Sequence, residues 1–176
     1  MAATIRIVDY DSRWPERFEQ HRKAIALALG ERALRIEHIG STSVPGLAAK
    51  PIVDILLVVS DSSDEASYAP ELESAGYELR IREPEFHEHR LFKPPAGDVN
   101  LHVLTVGSSE IERYLLFRDR LRTNGDDRGR YEEMKRQLAA RPWETVDEYA
   151  SAKSEIVEDI IASARARAIA ELRIES

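Results

Sequence analysis

Hydrophobic and polar positions follow two different periods along this chain. Through its middle, apolar residues recur at about every second position, which is typical of strands. An apolar run over 51–59, broken by the single charged residue Asp54, indicates a strand. The pattern predicts strands over 5–8, 34–39, 51–59, 77–82, 87–93 and 100–106.

Apolar residues three and four positions apart predict helices on either side of these strands. Pro15 in a first turn and Gly30 after the last periodic residue bound the first helix. A serine or threonine with a glutamate three residues later marks three further helix starts, at Ser62, Ser109 and Thr145. The predicted helices cover 15–29, 47–50, 62–75, 109–122 and 128–141, with one long helix from residue 145 onwards.

The order of these elements indicates the fold class. Strands alternate with helices up to residue 107, and helices alone follow. We therefore predict an α+β fold, with a small mixed β-sheet, flanking helices and a helical C-terminal part. A length of 176 residues fits one domain, and no repeat or linker divides it, so residues 1–176 are expected to form a single domain.

Composition and charge narrow the classes of function. The net charge of −7 argues against a general nucleic-acid binder, because neutralising phosphates requires a basic surface. The absence of cysteine excludes disulfides, thiolate metal sites and cysteine nucleophiles. The first residues lack a basic segment followed by an apolar one, and no apolar run reaches the length of a membrane span. We therefore expect a cytoplasmic protein without a membrane partner.

Three small residues, Gly40, Ser41 and Thr42, follow the first of the two central strands. Backbone N–H groups and hydroxyls at such a turn suit a phosphate, although the same residues also occur in plain turns. Asp54, on the next strand, is a carboxylate that needs a partner, because an unpaired charge is costly to bury. A phosphate-binding turn beside a carboxylate is the arrangement that positions Mg²⁺ against a nucleoside triphosphate.

The same stretch resembles a known family. Residues 36–47, reading IEHIGSTSVPGL, and residues 50–55, reading KPIVDI, look like the GrpB family. This family is a group within the nucleotidyltransferase superfamily, which has a DNA polymerase β-like fold. The resemblance extends over nearly the whole chain, with further marks at 101–103, 116–119, 131–135 and 149–153.

The resemblance implies a nucleotidyltransferase-like sheet and Mg²⁺-dependent transfer of a nucleotidyl group from a nucleoside triphosphate (NTP). The acceptor would be a small molecule or a protein. In this interpretation Gly40, Ser41 and Thr42 hold the phosphates, and Asp54 holds Mg²⁺. His102 lies on the strand where the superfamily carries a further carboxylate, and it would act as a metal ligand or a base.

Three cations complete the predicted site by neutralising phosphate charge. Lys50 ends the short helix after the turn, where it could equally be solvated. Arg118 and Lys153 are assigned on the resemblance, because a solvated helix face explains such residues as well. His102 also has an alternative, as a hydrogen-bonded structural histidine. The histidines within 86–90 are expected at a solvated edge of the sheet.

One departure from the superfamily pattern leaves the activity open. Active members carry two carboxylates separated by one residue, whereas Asp54 has Ile52 and Leu56 at the corresponding positions. The site could use one metal, could borrow Glu37 or Asp98, or could bind a nucleotide without transferring it. Three hypotheses follow: nucleotidyl transfer, a non-catalytic nucleotide-binding or regulatory module, and ligation or hydrolysis on the same scaffold.

Overall fold

The computed structural model describes residues 5–174, with side chains described up to residue 170. Within these residues one sheet has five strands: β1 (Arg35–Ile39), β2 (Val53–Val59), β3 (Glu78–Glu83), β4 (His89–Lys93) and β5 (Val99–Thr105). Their order in the sheet is β1–β2–β5–β4–β3. The β2–β5 pair is parallel and the other neighbouring pairs are antiparallel, so the predicted mixed sheet is confirmed.

Helices flank the sheet and make up the C-terminal half, in agreement with the predicted α+β class. Within residues 5–174, no helix has both the length and the apolar composition needed to cross a membrane. Short 3₁₀ turns lie at Gly30–Arg32, Ser41–Ser43 and Glu65–Ser67. The α-helices are α1 (Trp14–Leu29), α2 (Ala69–Ser74), α3 (Ser109–Thr123), α4 (Gly125–Ala139), α5 (Val146–Ala152) and α6 (Ser154–Ile174).

Strand β2 is covered on both faces, which explains its nearly continuous apolar sequence. Its odd-numbered residues belong to a core that includes Trp14 of α1 and Leu72 of α2. On the other face, Leu56 and Val58 pack with residues of α3. Side chains alternate along a strand, so Asp54 shares this second face. The strand therefore directs its one carboxylate into the layer between the sheet and the C-terminal helices.

Residues 47–50 and Ser62 were predicted to form or begin helices, and both predictions were wrong. Ala49 instead pairs with Val8 in an isolated bridge, which is also all that remains of the predicted strand over 5–8. The Ser62 hydroxyl donates to the Glu88 carbonyl at 2.8 Å, so it does not cap a helix. In both cases a contact between distant residues replaces the local one.

The C-terminal helix boundaries also differ in detail from the predicted ones. Ser108, one residue before the predicted Ser109, caps α3 by accepting a hydrogen bond from the Glu110 N–H. Thr145 caps α5 as predicted. The expected single long helix is divided at Lys153, where α5 ends and α6 begins. This division places Lys153 at a junction rather than on a continuous helix face.

Asn124 joins α3 to α4, and its side chain accepts a hydrogen bond from the Asp127 N–H at 2.9 Å. We expect Asn124→Ala to lower the free energy of unfolding by about 1 kcal/mol, because the first turn of α4 loses its cap. Urea unfolding measures the loss, with the exposed Arg165→Ala in α6 as the control. Equal stability of the two variants would contradict the capping role.

Candidate functional site

A cavity of about 410 Å³ lies between the sheet and the C-terminal helices. Its wall is built by the beginnings of β2 and β5, by the turn that follows β1, and by residues of α3 to α6. We call it the central cavity. Seven of the predicted site residues line it: Gly40, Ser41, Thr42, Lys50, Asp54, His102 and Lys153. Their shared location is therefore observed, and their roles stay predictions.

Gly40 lets the chain turn sharply beside Asp54. Its φ is 69°, a conformation that residues with a side chain rarely adopt. A Cβ placed on Gly40 would lie 2.6 Å from Oδ2 of Asp54. The turn is then closed by Ser43, whose N–H and hydroxyl both donate to the Gly40 carbonyl, at 3.1 and 2.6 Å. Glycine is therefore required at this position, because its backbone conformation is unfavourable for other residues and because Asp54 leaves no room for a side chain.

His38 supports this turn from behind. Its Nε2 lies 2.9 Å from the Thr42 hydroxyl, and its ring stacks on Phe18 with centroids 4.8 Å apart. Burial lowers the pKa of His38 to about 4, so the ring is neutral at pH 7. A neutral ring adds no charge to the turn, and its role is to hold Thr42 in place.

Asp54 sits at the centre of a small polar group on adjacent strands. It is directly opposite Asn100 in the parallel β2–β5 register, and Asn100 Nδ2 donates to its Oδ1 at 2.8 Å. His102 Nε2 lies 3.4 Å from the same oxygen. Burial opposes ionisation of Asp54, but these hydrogen bonds and the charge of Lys50 outweigh it and lower the carboxyl pKa. Asp54 is therefore a carboxylate at neutral pH.

His102 belongs to a hydrogen-bonded chain that crosses four strands, from β3 through β4 and β5 to β2. Its Nδ1 lies 2.9 Å from His89 Nε2, and His89 Nδ1 lies 2.6 Å from Glu83 Oε2. His89 is only 5% exposed, so its predicted place at a solvated edge was wrong. Burial lowers the pKa of His89. The chain from Glu83 to Asp54 fixes the orientation of the His102 ring.

Lys135 also lines the central cavity, although it was not among the predicted site residues. It is only 2% exposed. Its Nζ donates to the Ser41 hydroxyl at 3.0 Å and to the Ala48 carbonyl, and it lies 4.8 Å from the centroid of the Tyr131 ring. Helix α4 thus directs an ammonium group onto the turn that was predicted to hold phosphates.

The side-chain nitrogens of Lys50 and Lys153 both lie near the ring of Tyr149. Their Nζ atoms lie 5.4 and 4.7 Å from the centroid of Tyr149, and both side chains are half-buried. Tyr149 is fully buried, and its hydroxyl has no hydrogen-bond partner among the described residues. A buried hydroxyl without a hydrogen-bond partner is unfavourable, and this oxygen is enclosed by protein atoms.

The three lysines, Lys50, Lys135 and Lys153, form a group that we call the lysine triad. Burial, together with the like charges of Lys153 and Lys50, lowers the pKa of Lys135 to about 7. Burial also lowers the pKa of Lys50 and of Lys153, and the charge of Lys153 adds to the effect on Lys50. The cavity therefore holds its cations under repulsion, which an anionic ligand would relieve.

Comparison with known proteins places the chain in a family. Residues 4–163 match the family model described as GrpB protein. The chain belongs to the GrpB family. It is 56% identical over 164 residues to a UPF0157 protein of Halalkalibacterium halodurans, covering 93% of this chain and 84% of that protein. The predicted family is thereby confirmed.

Solved structures agree with the GrpB assignment. The crystal structure of the conserved protein GrpB from Enterococcus faecalis has a TM-score of 0.78 at 34% identity, over 90% of this chain and 96% of that one. The Cid1 poly(U) polymerase with MgGTP bound has a TM-score of 0.52 at 13% identity, over 77% of this chain and 45% of that one. Likeness at such low identity concerns the fold, and it confirms the nucleotidyltransferase fold of this GrpB chain.

Arg118 is the one predicted site residue that does not line the central cavity of this GrpB chain. Its guanidinium donates to Glu37 at 2.6 Å, to Asp119 at 2.8 Å and to the His38 carbonyl at 3.2 Å. These contacts tie α3 to β1, since Arg118 belongs to the first and Glu37 to the second. The Nε and Nη1 groups of Arg118 therefore bind two carboxylates and a carbonyl, whereas the resemblance implied that this side chain binds phosphate.

The donor set of the GrpB cavity does not fit a resident Mg²⁺ ion. Among the described residues, Asp54 is the one carboxylate that lines it, and no group of three histidine, aspartate or glutamate side chains could hold a metal. Glu37 and Asp98, the residues that might have been borrowed, pair with Arg118 and Arg17. Mg²⁺ is held in proteins by carboxylates, and here one carboxylate faces three lysines.

The spacing of Tyr131 and Lys135, which Tyr149 and Lys153 repeat, was the signal for the missed Lys135 of the GrpB site. Tyr131 and Lys135, and again Tyr149 and Lys153, are four positions apart, which places each pair on one side of a helical turn. In the structure each lysine lies over the ring of its own tyrosine. A tyrosine–lysine pair of this kind therefore identifies an ammonium group held against an apolar wall.

Proposed function

We propose that this GrpB-family chain binds a nucleoside triphosphate in the central cavity and transfers its nucleotidyl group to an acceptor. The observation that supports this most directly is the convergence of the Gly40–Thr42 turn, the lysine triad and Asp54 on one cavity. The nucleotidyltransferase fold gives the same cavity a setting in which such chemistry is known. The acceptor is a small molecule or a protein with a hydroxyl, phosphate or carboxylate group.

In this proposal the phosphates lie between the turn and the lysine triad. Ser41 and Thr42 offer hydroxyl groups, and Lys135 already donates to the Ser41 hydroxyl. A phosphate oxygen that joins or replaces this contact would receive a charge-assisted hydrogen bond. Lys50 and Lys153 would neutralise the remaining phosphate charge from the opposite wall. Arg118 takes no part, because its donors are engaged outside the cavity.

The proposed transfer uses Asp54 and His102 at the acceptor side. An acceptor oxygen forms a bond to the α-phosphorus, the bond from that phosphorus to the bridging oxygen breaks, and pyrophosphate leaves. Asp54, which is ionised at neutral pH, takes the proton of the acceptor. His102, oriented by His89, hydrogen-bonds the same carboxylate and holds it in position. Mg²⁺, where present, would enter as part of the Mg–NTP substrate rather than as a resident ion.

A non-catalytic nucleotide-binding module is the second candidate. Leu56 supports it, since this buried residue stands where active superfamily members carry their second carboxylate. Such a module would retain the turn and the lysines and would bind NTP without forming a product. Both candidates therefore predict that the chain binds NTP, and only the first predicts transfer of the nucleotidyl group.

Calorimetric titration with each NTP, with and without Mg²⁺, tests the binding that both candidates share. Transfer is followed by incubating the protein and NTP with a cell extract, using label on the α- or the γ-phosphate. We expect α-label to appear in an acceptor and Asp54→Asn to lower that rate by at least about 10²-fold, because the carboxylate that takes the proton of the acceptor is lost. Asparagine retains the shape of the side chain and an oxygen that Asn100 can donate to.

Asp64→Asn serves as the matched control, because Asp64 is exposed and outside the cavity. It should bind and transfer at the rate of the unmodified chain. NTP binding without α-label transfer would assign the chain to the non-catalytic candidate. Failure of every NTP to bind under both conditions would overturn the proposed function as a whole.

A further inference from the structure

We propose that the central cavity binds the polyphosphate of its nucleotide without a divalent cation, because the lysine triad supplies the positive charge that Mg²⁺ supplies in related folds. This inference rests on the proposed function, since it concerns the charge state of the same nucleotide. It extends that proposal by naming the form of the substrate that binds, which is the nucleotide without bound Mg²⁺.

The charges that face the cavity are the first argument. Lys50, Lys135 and Lys153 line it, and among the described residues none of them forms an ion pair with a carboxylate. Arg113 also lines the cavity, but it pairs with Glu110 and Glu158 of α3 and α6. Three unpaired ammonium groups therefore face one carboxylate. That balance suits an anion and opposes a free divalent cation.

The position of Lys135 is the second argument. Its ammonium group lies on the Ser41 hydroxyl and the Ala48 carbonyl, at the turn that follows β1. Hydroxyl and carbonyl oxygens at a phosphate-binding turn are groups that a metal ion could also contact. The Lys135 Nζ already donates to both groups, so a metal ion would have to displace this side chain to contact them.

Tyr149 supplies the third argument. It is fully buried between Lys50 and Lys153, and its hydroxyl lacks a partner among the described residues. Two lysine nitrogens near one ring form a wall that is complementary to an anionic oxygen. Free polyphosphate carries two more negative charges than its Mg²⁺ complex, so it gains more from this wall.

The pH dependence of binding should reflect the same charges. Four charged side chains act on the pKa of Lys135: Lys153, Arg136 and Lys50 lower it, and Glu132 raises it. Burial and the like charges hold the pKa of Lys135 near 7, so most of the population is neutral at pH 8. An anionic ligand favours the protonated form, and its binding should take up protons.

The experiment is calorimetric titration of the whole protein with inorganic tripolyphosphate and with ATP, in EDTA and in saturating Mg²⁺. We expect affinity in EDTA to equal or exceed that in Mg²⁺. Lys50→Gln and Lys153→Gln should each weaken binding in EDTA by about tenfold or more, since each removes a charge-assisted contact. Both side chains are half-buried, so these variants avoid the fully buried Lys135. Lys23→Gln, exposed on α1, is the control and should bind as the unmodified chain does.

The outcomes separate this inference from the proposed function. Affinity for ATP that rises with Mg²⁺ would overturn the metal-free inference and leave the proposed function standing. Absence of ATP binding in both EDTA and Mg²⁺ would overturn both. Unchanged affinity in both lysine variants would also overturn the inference, because the triad would then carry no part of the phosphate charge.

Discussion

Gly40→Ala is expected to destabilise the protein by about 2–4 kcal/mol and to displace Asp54, through two causes that act together. The first is backbone strain, because a φ of 69° is unfavourable for alanine. The second is a collision, because the added Cβ would lie 2.6 Å from Oδ2 of Asp54. Chemical unfolding followed by circular dichroism measures the loss of stability.

Gly97→Ala is the matched control for this substitution. Gly97 has a φ of 70°, almost the same as Gly40, yet nothing lies within 4 Å of a Cβ built on it. It should therefore report the strain of a positive φ without a collision, of about 1 kcal/mol. The difference between the two variants combines the collision with Asp54 and the added strain of the Gly40 ψ of −174°, a conformation that residues with a side chain rarely adopt. If both lose the same stability, the close approach of Gly40 and Asp54 has no energetic consequence.

Lys135→Met should change how stability depends on pH. In the folded protein the pKa of Lys135 is about 7, against a model-peptide value of 10.5 that approximates the unfolded chain. Between these values the unfolded state binds more protons, so the free energy of unfolding rises with pH. Lys135 contributes up to about 1.4 kcal/mol per pH unit in that window. Methionine cannot be protonated, so the variant should show a shallower rise between pH 7 and pH 9.5.

Urea unfolding at several pH values compares Lys135→Met with Lys23→Met, whose lysine is exposed on α1. The control should retain the slope of the unmodified chain. A residual slope is expected in Lys135→Met, because the pKa of Lys50 and of Lys153 is lowered too. The prediction concerns the slope, since loss of the Ala48 and Ser41 contacts lowers stability at every pH. Identical slopes in the two variants would show that folding does not lower the pKa of Lys135.

Much of the sheet and of the inner site could be predicted from the sequence. The apolar pattern located β2, and a carboxylate in such a run identified Asp54 because a buried charge needs a partner. Side chains alternate along a strand, so Asn100 and His102 share one face of β5, and both contact Asp54. These predictions depend on local periodicity, which a single sequence contains.

The residues that were missed or misplaced depend on tertiary packing. His89 was assigned to a solvated edge, yet β4 pairs with β5 and buries it against His102. Lys135 lies on a charged helix, and its burial arises only when α4 packs over the turn after β1. Arg118 shows the opposite error, because its helix carries it to Glu37 rather than into the cavity. No local pattern contains these contacts.

The parallel pairing of β2 with β5 has a consequence for how the molecule is made. Asp54 and its partners Asn100 and His102 are 46 and 48 residues apart in sequence. During synthesis the carboxylate leaves the ribosome well before either partner. Closing a loop of that length precedes any gain from the contacts. The polar group around Asp54 would therefore be among the last parts of the sheet to assemble, and a fragment ending before β5 would lack both hydrogen-bond partners of Asp54.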